Sequence, residues 1–215
     1  ASLVGSEMCI RDSLTTGSAI YFMKHLLGNG SLLGLFSMMK MFPVIIALIF
    51  TPILVKKTGS MQKVNFWGYV ISDILGIFLI IFAMQKNLPM MLLFMFLKGT
   101  FAGTMSGTLN ALIAEISGYT YRTKGVHIDG MMFSCSSLGV KVGGGIGTAA
   151  VGWLLHAAGY AGKAATQTVA ATNMIFSMYI TIPVILGVVI TILLGLMKVE
   201  KENKRIDMER AEQAD

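Results

Sequence analysis

Long apolar stretches, each interrupted by one charged residue or none, dominate the pattern of hydrophobic and polar positions along this chain. About 20 consecutive apolar residues suffice to cross the hydrocarbon core of a bilayer as an α-helix. Five stretches reach that length and predict membrane-spanning helices: Ser31–Val55, Val64–Met84, Pro89–Ala114, Asp129–His156 and Thr172–Met197. A shorter apolar piece, Leu14–Leu27, precedes them and is predicted to be a truncated first span, giving six in all.

The composition excludes an ordinary soluble domain. Hydrophobic residues make up 54% of the chain, charged residues only 13%, and the mean hydropathy is +0.71. These values are too apolar for a soluble protein of this length. A soluble helical domain would also need amphipathic helices to cover its core, and none precedes the charged tail Lys198–Asp215. The predicted fold class is therefore an all-α membrane protein.

The two ends of the chain depart from this pattern. The string Ser6–Ser13 resembles a translated adapter sequence that recurs in assembled metagenomic genes, and it lacks the apolar centre of a signal peptide. Residues 1–13 are therefore expected to be extraneous, and the chain to be a fragment. Residues 14–198 are expected to form the six-helix bundle, and residues 199–215 a charged cytoplasmic tail.

Basic residues are distributed unequally between the connections. Three cytoplasmic segments are predicted, namely Lys56–Lys63, Glu115–Ile128 and the tail from Lys198, and together they hold ten lysines and arginines. The opposite side holds three, Lys24, Lys86 and Lys163. This bias predicts the orientation, with the C-terminus in the cytoplasm. It also accounts for the net charge of +6, so nucleic acid is not expected as a partner, whereas the lipid bilayer is.

Glycines repeat at four-residue spacing in two spans. Small residues at this spacing let membrane helices approach closely, so two helix-packing ridges are predicted. They are Gly99, Gly103 and Gly107 on one helix and Gly139, Gly143 and Gly147 on the next. The run Gly143–Gly147 is not a dinucleotide-binding loop, because no strand precedes it and no acidic residue follows.

Lys141 is the leading candidate for a functional residue. A cation within a span is costly unless it faces a partner or a watery cavity. Helical spacing places Ser134, Ser137 and Thr148 on the same stripe as Lys141, which predicts a polar face lining a solute pathway. The alternative is a structural lysine that pairs with a carboxylate or with carbonyl groups of other helices.

Three further charges lie within spans. Lys98 and Lys40 are also candidates for the cavity, although Lys98 could equally snorkel or pair. Lys40 lies just before Pro43, where a kink can open the backbone. Asp73 is interpreted as structural, neutralising a lysine.

No enzyme motif is recognisable in the sequence, and no catalytic residue or cofactor is expected. The two cysteines, Cys9 and Cys135, have no metal-ligand or disulfide spacing, so no metal site is predicted either.

A known pattern extends over residues 115–160. Glu115 and Tyr119 are followed by Gly125, by the pair Asp129-Gly130, and then by Lys141 seven residues after Ser134. This arrangement resembles the glycoside–pentoside–hexuronide:cation symporters, the melibiose-permease-like branch of the major facilitator superfamily. The resemblance implies helices seven to twelve of a twelve-helix transporter, in a bacterial cytoplasmic membrane.

The resemblance also implies roles for individual residues. Glu115, Tyr119, His127 and Asp129 would form a cytoplasmic gate, and Lys141 would belong to the transport site. Two positions depart from the family pattern, since Gly118 replaces a second acidic residue and His127 an arginine. The gate would then be weaker than in the family, or titratable near neutral pH.

The expected function is symport of a sugar, glycoside or hexuronide with Na⁺ or H⁺ by alternating access. The ion ligands would lie in a missing N-terminal six-helix half, which is an expected partner. Two alternatives remain open at this stage: a superfamily member carrying an organic anion, peptide or drug, and a membrane enzyme or non-transporting subunit.

Overall fold

The computed structural model of the protein describes residues 2–164, 166–197, 200, 202–203, 205–206 and 208. Regular structure in these ranges is helical throughout. The α-helices are α1 (Ser2–His25), α2 (Leu32–Thr58), α3 (Met61–Met84), α4 (Leu88–Ala102), α5 (Thr104–Lys124), α6 (Asp129–Ala157), α7 (Val169–Phe176) and α8 (Ile182–Leu196). A π-helical turn, Ser177–Thr181, joins α7 to α8.

Five helical segments in the described part of the chain are long and apolar enough to cross a membrane. They correspond to the five predicted long spans, with α4–α5 and α7–α8 each counting as one segment. Large apolar side chains such as Ile49, Phe50 and Ile77 are exposed along them, as lipid contact requires. α1 has 24 residues but is not among the five, and it holds the first predicted span, Leu14–Leu27, in its second half.

The helices extend beyond the predicted spans on the side assigned to the cytoplasm. α2 continues to Thr58 and α3 begins at Met61, so the connection is reduced to Gly59 and Ser60. Gly59 ends α2 in the left-handed conformation at φ 63°, which glycine adopts without strain. The Ser60 hydroxyl then caps α3 by accepting a bond from Lys63 N at 3.1 Å.

The segment Glu115–Ile128 is also mostly helical, whereas the sequence predicted a connection. α5 carries this polar stretch as far as Lys124, and Gly125 ends it at φ 68°. Polarity marks where a chain leaves the lipid but not where its helix stops, because backbone hydrogen bonding continues in water.

Two apolar clusters form the core. One contains Phe22, Phe36 and Tyr179, and the other contains Tyr69 and Ile190. A buried hydrogen bond from Asn65 Nδ2 to Thr108 Oγ1, at 2.7 Å, joins α3 to α5. Interhelical bonds of this kind hold membrane helices together where hydrophobic burial supplies little drive.

The first glycine ridge lies against α2. A Cβ added to Gly103 would come within 2.7 Å of Ala47 Cβ, and one added to Gly99 within 3.1 Å of Pro43 Cβ. A Cβ added to Gly107 would come within 2.9 Å of Leu48 Cδ2. The absence of side chains at these positions therefore sets the distance between the two helices.

The second ridge lies against α1. A Cβ on Gly143 would come within 2.5 Å of Ser6 O, and one on Gly147 within 2.7 Å of Ile10 O, while Gly139 is half-buried. Residues 2–13 are thus folded as the first half of α1.

Part of the tail is anchored to the bundle. Glu200 and Asn203 are buried, and Glu200 Oε2 accepts hydrogen bonds from Ser60 Oγ at 2.8 Å and Gln62 N at 2.9 Å. A carboxylate at the N-terminus of α3 is favoured by the helix dipole. The predicted charged tail is therefore packed against the bundle at these two positions; residues 198–199, 201, 204, 207 and 209–215 lie outside the described residues.

Candidate functional site

One face of α6 carries the predicted polar stripe. Ser134, Ser137, Lys141 and Thr148 are all exposed, whereas the opposite face of the helix is buried. Lys141 has no ion-pair partner in the part of the chain that the structure describes. The stripe is therefore an open polar surface at membrane depth.

Lys40 lies on α2, across a groove from this stripe. Its ammonium donates a hydrogen bond to Thr16 Oγ1 on α1 at 2.9 Å, and Asp12 Oδ1 lies 3.9 Å away. Thr148 of the α6 stripe lines the same groove as Thr16 and Lys40. Lys40 and the Thr148 end of the stripe thus open onto one shared groove, two helical turns from Lys141.

A second cavity adjoins this groove and lies between α1, α2, α4 and the π-helical turn. We call it the Lys40 cavity; its volume is about 430 Å³, and its polar lining is Thr15, Thr16, Ser37, Lys40 and Tyr179. Met95 and other apolar side chains complete the wall. A mostly apolar cavity with a few convergent polar groups is the usual form of a small-molecule site.

Lys98 lies in a smaller adjoining cavity of about 140 Å³, which Lys40 and Tyr179 also line. Its Nζ reaches α3, where it lies 3.5 Å from the position of a Cβ on Gly76. Asp73, one turn earlier on α3, attracts Lys98 electrostatically and accepts a 2.6 Å hydrogen bond from Thr191 Oγ1. This arrangement matches the structural interpretation of Asp73.

Tyr179 is placed by the π-helical turn. Its ring stacks on Phe22 with centroids 4.5 Å apart, and its hydroxyl has Met95 Sδ as its described neighbour at 4.0 Å. Sulfur is a weak acceptor, so the hydroxyl retains its capacity to bind a ligand. π-helical turns within longer helices are frequent at functional sites.

The predicted gate residues lie at the end assigned to the cytoplasm, but in two places. His127 Nδ1 is 3.8 Å from Asp129 Oδ2, and the His127 ring stacks on Tyr121 at 4.0 Å. Glu115 and Tyr119 are half-buried on α5, and the Glu115 backbone carbonyl accepts a bond from Asn203 Nδ2 at 3.1 Å. The tail thus approaches one part of the predicted gate.

At the opposite end, Tyr160 joins the α6–α7 connection to α1. Its hydroxyl lies 3.1 Å from His25 Nε2, and its ring meets Tyr21 edge-on at 5.2 Å. Burial, and then the neighbouring Tyr21, raises the pKa of Tyr160. The phenol therefore stays protonated at neutral pH, and the tautomer of His25 decides which of the two groups donates the hydrogen bond.

Sequence reasoning missed Tyr179, Thr15, Thr16 and Tyr121. Tyr179 lies in the span that has no charged residue, so the energetic cost of burying a charge, which identified the lysines, did not identify it. The hydroxyl of a tyrosine at membrane depth was the available signal. Among the described residues, no group of three or more His, Cys, Asp or Glu side chains could hold a metal ion.

Comparison with known proteins gives a family match over most of the chain. A model described as "MFS/sugar transport protein" matches residues 9–201. No solved structure matches the chain significantly.

Three curated proteins are similar to the chain over different lengths. The "Isoprimeverose transporter" of Lactiplantibacillus pentosus is 26% identical over 182 residues, which is 85% of this chain and 37% of that protein. The "Uncharacterized 29.9 kDa protein in crtE 3'region" of Pseudescherichia vulneris is 26% identical over 174 residues, or 80% of this chain and 62% of that protein. The "Putative glycoside/cation symporter YagG" of Escherichia coli (strain K12) is 28% identical over 109 residues, which is 48% of this chain and 24% of that protein. The chain thus spans less than two thirds of the length of each.

Proposed function

Because the chain belongs to the MFS/sugar transport protein family, we propose that the intact protein carries a sugar, glycoside or hexuronide across a membrane together with Na⁺ or H⁺. The family resemblance seen in residues 115–160 is confirmed, as is the all-helical membrane fold that it implies. One observation carries the proposal of a solute site: the exposed polar face of α6, which presents Lys141 at membrane depth.

In this proposal the chain supplies one six-helix wall of a central cavity, and a second half supplies the other. An exposed cation among apolar spans needs such a facing surface, because lipid cannot solvate it. The greater length of the relatives supports a longer transporter, since the chain covers 37% of the isoprimeverose transporter. Solute would cross as the two halves rock around the midplane.

Lys141 would act on the solute through its ammonium group. It can donate hydrogen bonds to sugar hydroxyls, attract a uronate, or pair with a carboxylate of the other half. The last arrangement would couple ion occupancy to sugar affinity. The ion ligands themselves are assigned to the other half, and no cofactor is proposed.

The orientation follows from the distribution of basic residues. The Lys56–Lys63 segment and the end of α5 would face the cytoplasm of a bacterial cell, together with the C-terminus. His127 and Asp129 would then belong to the cytoplasmic gate, beside Glu115 and Tyr119. The opposite end, with Tyr160 and His25, would face outward.

The test is counterflow of labelled methyl glycosides into proteoliposomes that contain the intact transporter. We expect counterflow of at least one glycoside, with stimulation by an imposed Na⁺ or H⁺ gradient. Lys141→Ala should reduce it about tenfold or more, because a hydrogen bond to a charged group contributes about 1.5–3 kcal/mol. Lys163→Ala, in the exposed outer connection, is the matched control.

Each negative result of this experiment would exclude a different part of the proposal. Unchanged counterflow and unchanged ion stimulation in Lys141→Ala would remove Lys141 from the mechanism. Transport of organic anions, peptides or drugs but of no glycoside would favour a different superfamily member. Chemical conversion of the solute without accumulation would indicate a membrane enzyme.

A further inference from the structure

Two side chains of the tail join separate helices at the end of the bundle assigned to the cytoplasm. Glu200 and Asn203 lie three residues apart and are 7% and 4% exposed. Glu200 Oε2 accepts hydrogen bonds from Ser60 Oγ at 2.8 Å and from Gln62 N at 2.9 Å. Asn203 Nδ2 donates to the backbone carbonyl of Glu115 at 3.1 Å. The tail therefore connects the start of α3 to α5.

Gln62 extends this network to the end of α8. Its backbone N–H bonds the Glu200 carboxylate, while its side-chain amide donates to Leu194 O at 2.9 Å and also to Met197 O. Carbonyl groups in the last turn of a helix lack an intrahelical partner, so these bonds satisfy them. Leu194 also packs in the same apolar cluster as Leu112 of α5. Three helix ends and the tail thus form one connected unit.

The two tail contacts differ in strength. Hydrogen bonds to a carboxylate are stronger than neutral ones, and the dipole of α3 also favours a negative charge at its N-terminus. Asn203 makes a neutral bond, and its buried Oδ1 has no hydrogen-bond partner among the described residues. A buried acceptor left unpaired costs stability. Glu200 is therefore the firm anchor, and Asn203 is a weaker contact to α5 that stability alone does not explain.

We infer that the tail positions the predicted cytoplasmic gate, with Glu200 anchoring it to α3 and Asn203 holding the part of α5 that carries Glu115. This inference rests on the proposed transport function and assigns positioning roles to two residues that line neither the Lys40 cavity nor its neighbours. Release of the tail would let the end of α5 move away from α3. The gate would then close poorly, whereas the affinity of the cavity for solute would stay the same.

The first test measures the opening of this end of α5 with a single cysteine. Ser117 lies two residues after Glu115 and is 1% exposed, so Ser117→Cys, in a background without native cysteines, reacts only when this end opens. The rate of reaction with a hydrophilic maleimide is measured on the intact transporter in detergent. We expect Glu200→Ala to raise this rate about tenfold, which corresponds to about 1.4 kcal/mol. Asn203→Ala should raise it about threefold, because its bond is neutral.

Two controls separate positioning from general loss of stability. Glu202→Ala removes a neighbouring tail carboxylate that pairs with Arg205 at 3.1 Å and is 36% exposed, and it should leave the rate unchanged. Ala171→Cys places a reporter at the opposite end of the bundle, at a position that is 0% exposed. Its reaction rate should not respond to Glu200→Ala, whereas a general destabilisation would raise the rates at both reporters.

The second test measures turnover per binding site in proteoliposomes. The maximal rate of glycoside uptake is divided by the number of sites that bind the glycoside at equilibrium. We expect Glu200→Ala to lower this turnover about tenfold at unchanged glycoside affinity, because the gate and not the cavity is affected. A purely structural role would lower the number of sites and the uptake rate together, and the turnover per site would stay the same.

Three results would overturn the inference: no faster reaction of Ser117→Cys in Glu200→Ala, an equal increase at both reporters, or an unchanged turnover per site. Asn203→Ala provides the same measurements if Glu200→Ala does not fold. The cysteine reaction does not require transport, so it reports on the tail separately from the proposed function. Faster reaction at position 117 alone, in a protein that moves no glycoside, would support the contact of the tail with α5 and overturn transport.

Discussion

Three lysines lie at membrane depth, and each has a different neighbourhood. Lys98 is attracted by Asp73, Lys40 donates to Thr16, and Lys141 lies on an open face. The sequence identified all three, because a charge in an apolar stretch is conspicuous. It could not assign their partners, since Asp73 and Lys98 are brought together only by the packing of α3 against α4.

The Asp73–Lys98 pair gives a prediction about stability. Asp73→Asn keeps a polar partner for Thr191 but leaves Lys98 without its counter-charge. We expect the free energy of unfolding to fall by about 1 kcal/mol, since both side chains are only half-buried and their attraction is partly screened. Unfolding of the intact transporter in detergent, by heat or denaturant, measures the change.

A double variant and a surface variant complete this experiment. Asp73→Asn combined with Lys98→Met removes both charges and should recover most of the loss. Asp129→Asn breaks the exposed pair with His127 and should have little effect on stability. If the double variant were no more stable than Asp73→Asn, Asp73 would not be the counter-charge of Lys98.

At the scale of the helices, hydropathy predicted the spans well and their ends poorly. The boundaries of α2 and α5 depend on Gly59 and Gly125, whose left-handed conformations stop helices that polarity alone would not. The π-helical turn at Ser177–Thr181 has no signal in the apolar pattern, because it changes the register of a helix without changing its composition. The inward placement of Tyr179 by this turn had no sequence signal either.

The glycine ridge on α4 and α5 gives a prediction at this scale. Gly103→Ala places a methyl group against Ala47 Cβ and the α2 backbone, neither of which can move aside as a flexible side chain could. We expect a loss of about 2 kcal/mol in unfolding free energy, the usual cost of overpacking. Gly118→Ala is the control, because nothing lies within 4 Å of its added Cβ. An equal effect of both variants would contradict close packing at Gly103.

For the whole molecule, hydropathy predicted the class of protein, and the motifs around Glu115 and Lys141 predicted its family. The cavities could not be predicted, because each is lined by residues from helices far apart in sequence. Thr16, Lys40, Met95 and Tyr179 share the Lys40 cavity although more than 160 residues separate the first from the last.

The orientation in the membrane can be tested with single cysteines. In a background without native cysteines, Lys57→Cys places a thiol in the last turn of α2 and Lys163→Cys places one in the α6–α7 connection, at the opposite end of the bundle. In intact cells, a membrane-impermeant maleimide should label position 163 only, and after permeabilisation it should label both. Labelling of position 57 in intact cells would reverse the proposed orientation.

The Gly59–Ser60 connection restricts how this bundle can deform. Three Cα–Cα steps join Thr58 to Met61 and reach at most about 11 Å when fully extended, so the adjoining ends of α2 and α3 stay neighbours when either helix tilts. Glu200, near the other end of the chain, also accepts hydrogen bonds from Ser60 and Gln62 at this connection. A tilt of α2, the helix that bears Lys40, therefore moves α3 and the start of the tail with it.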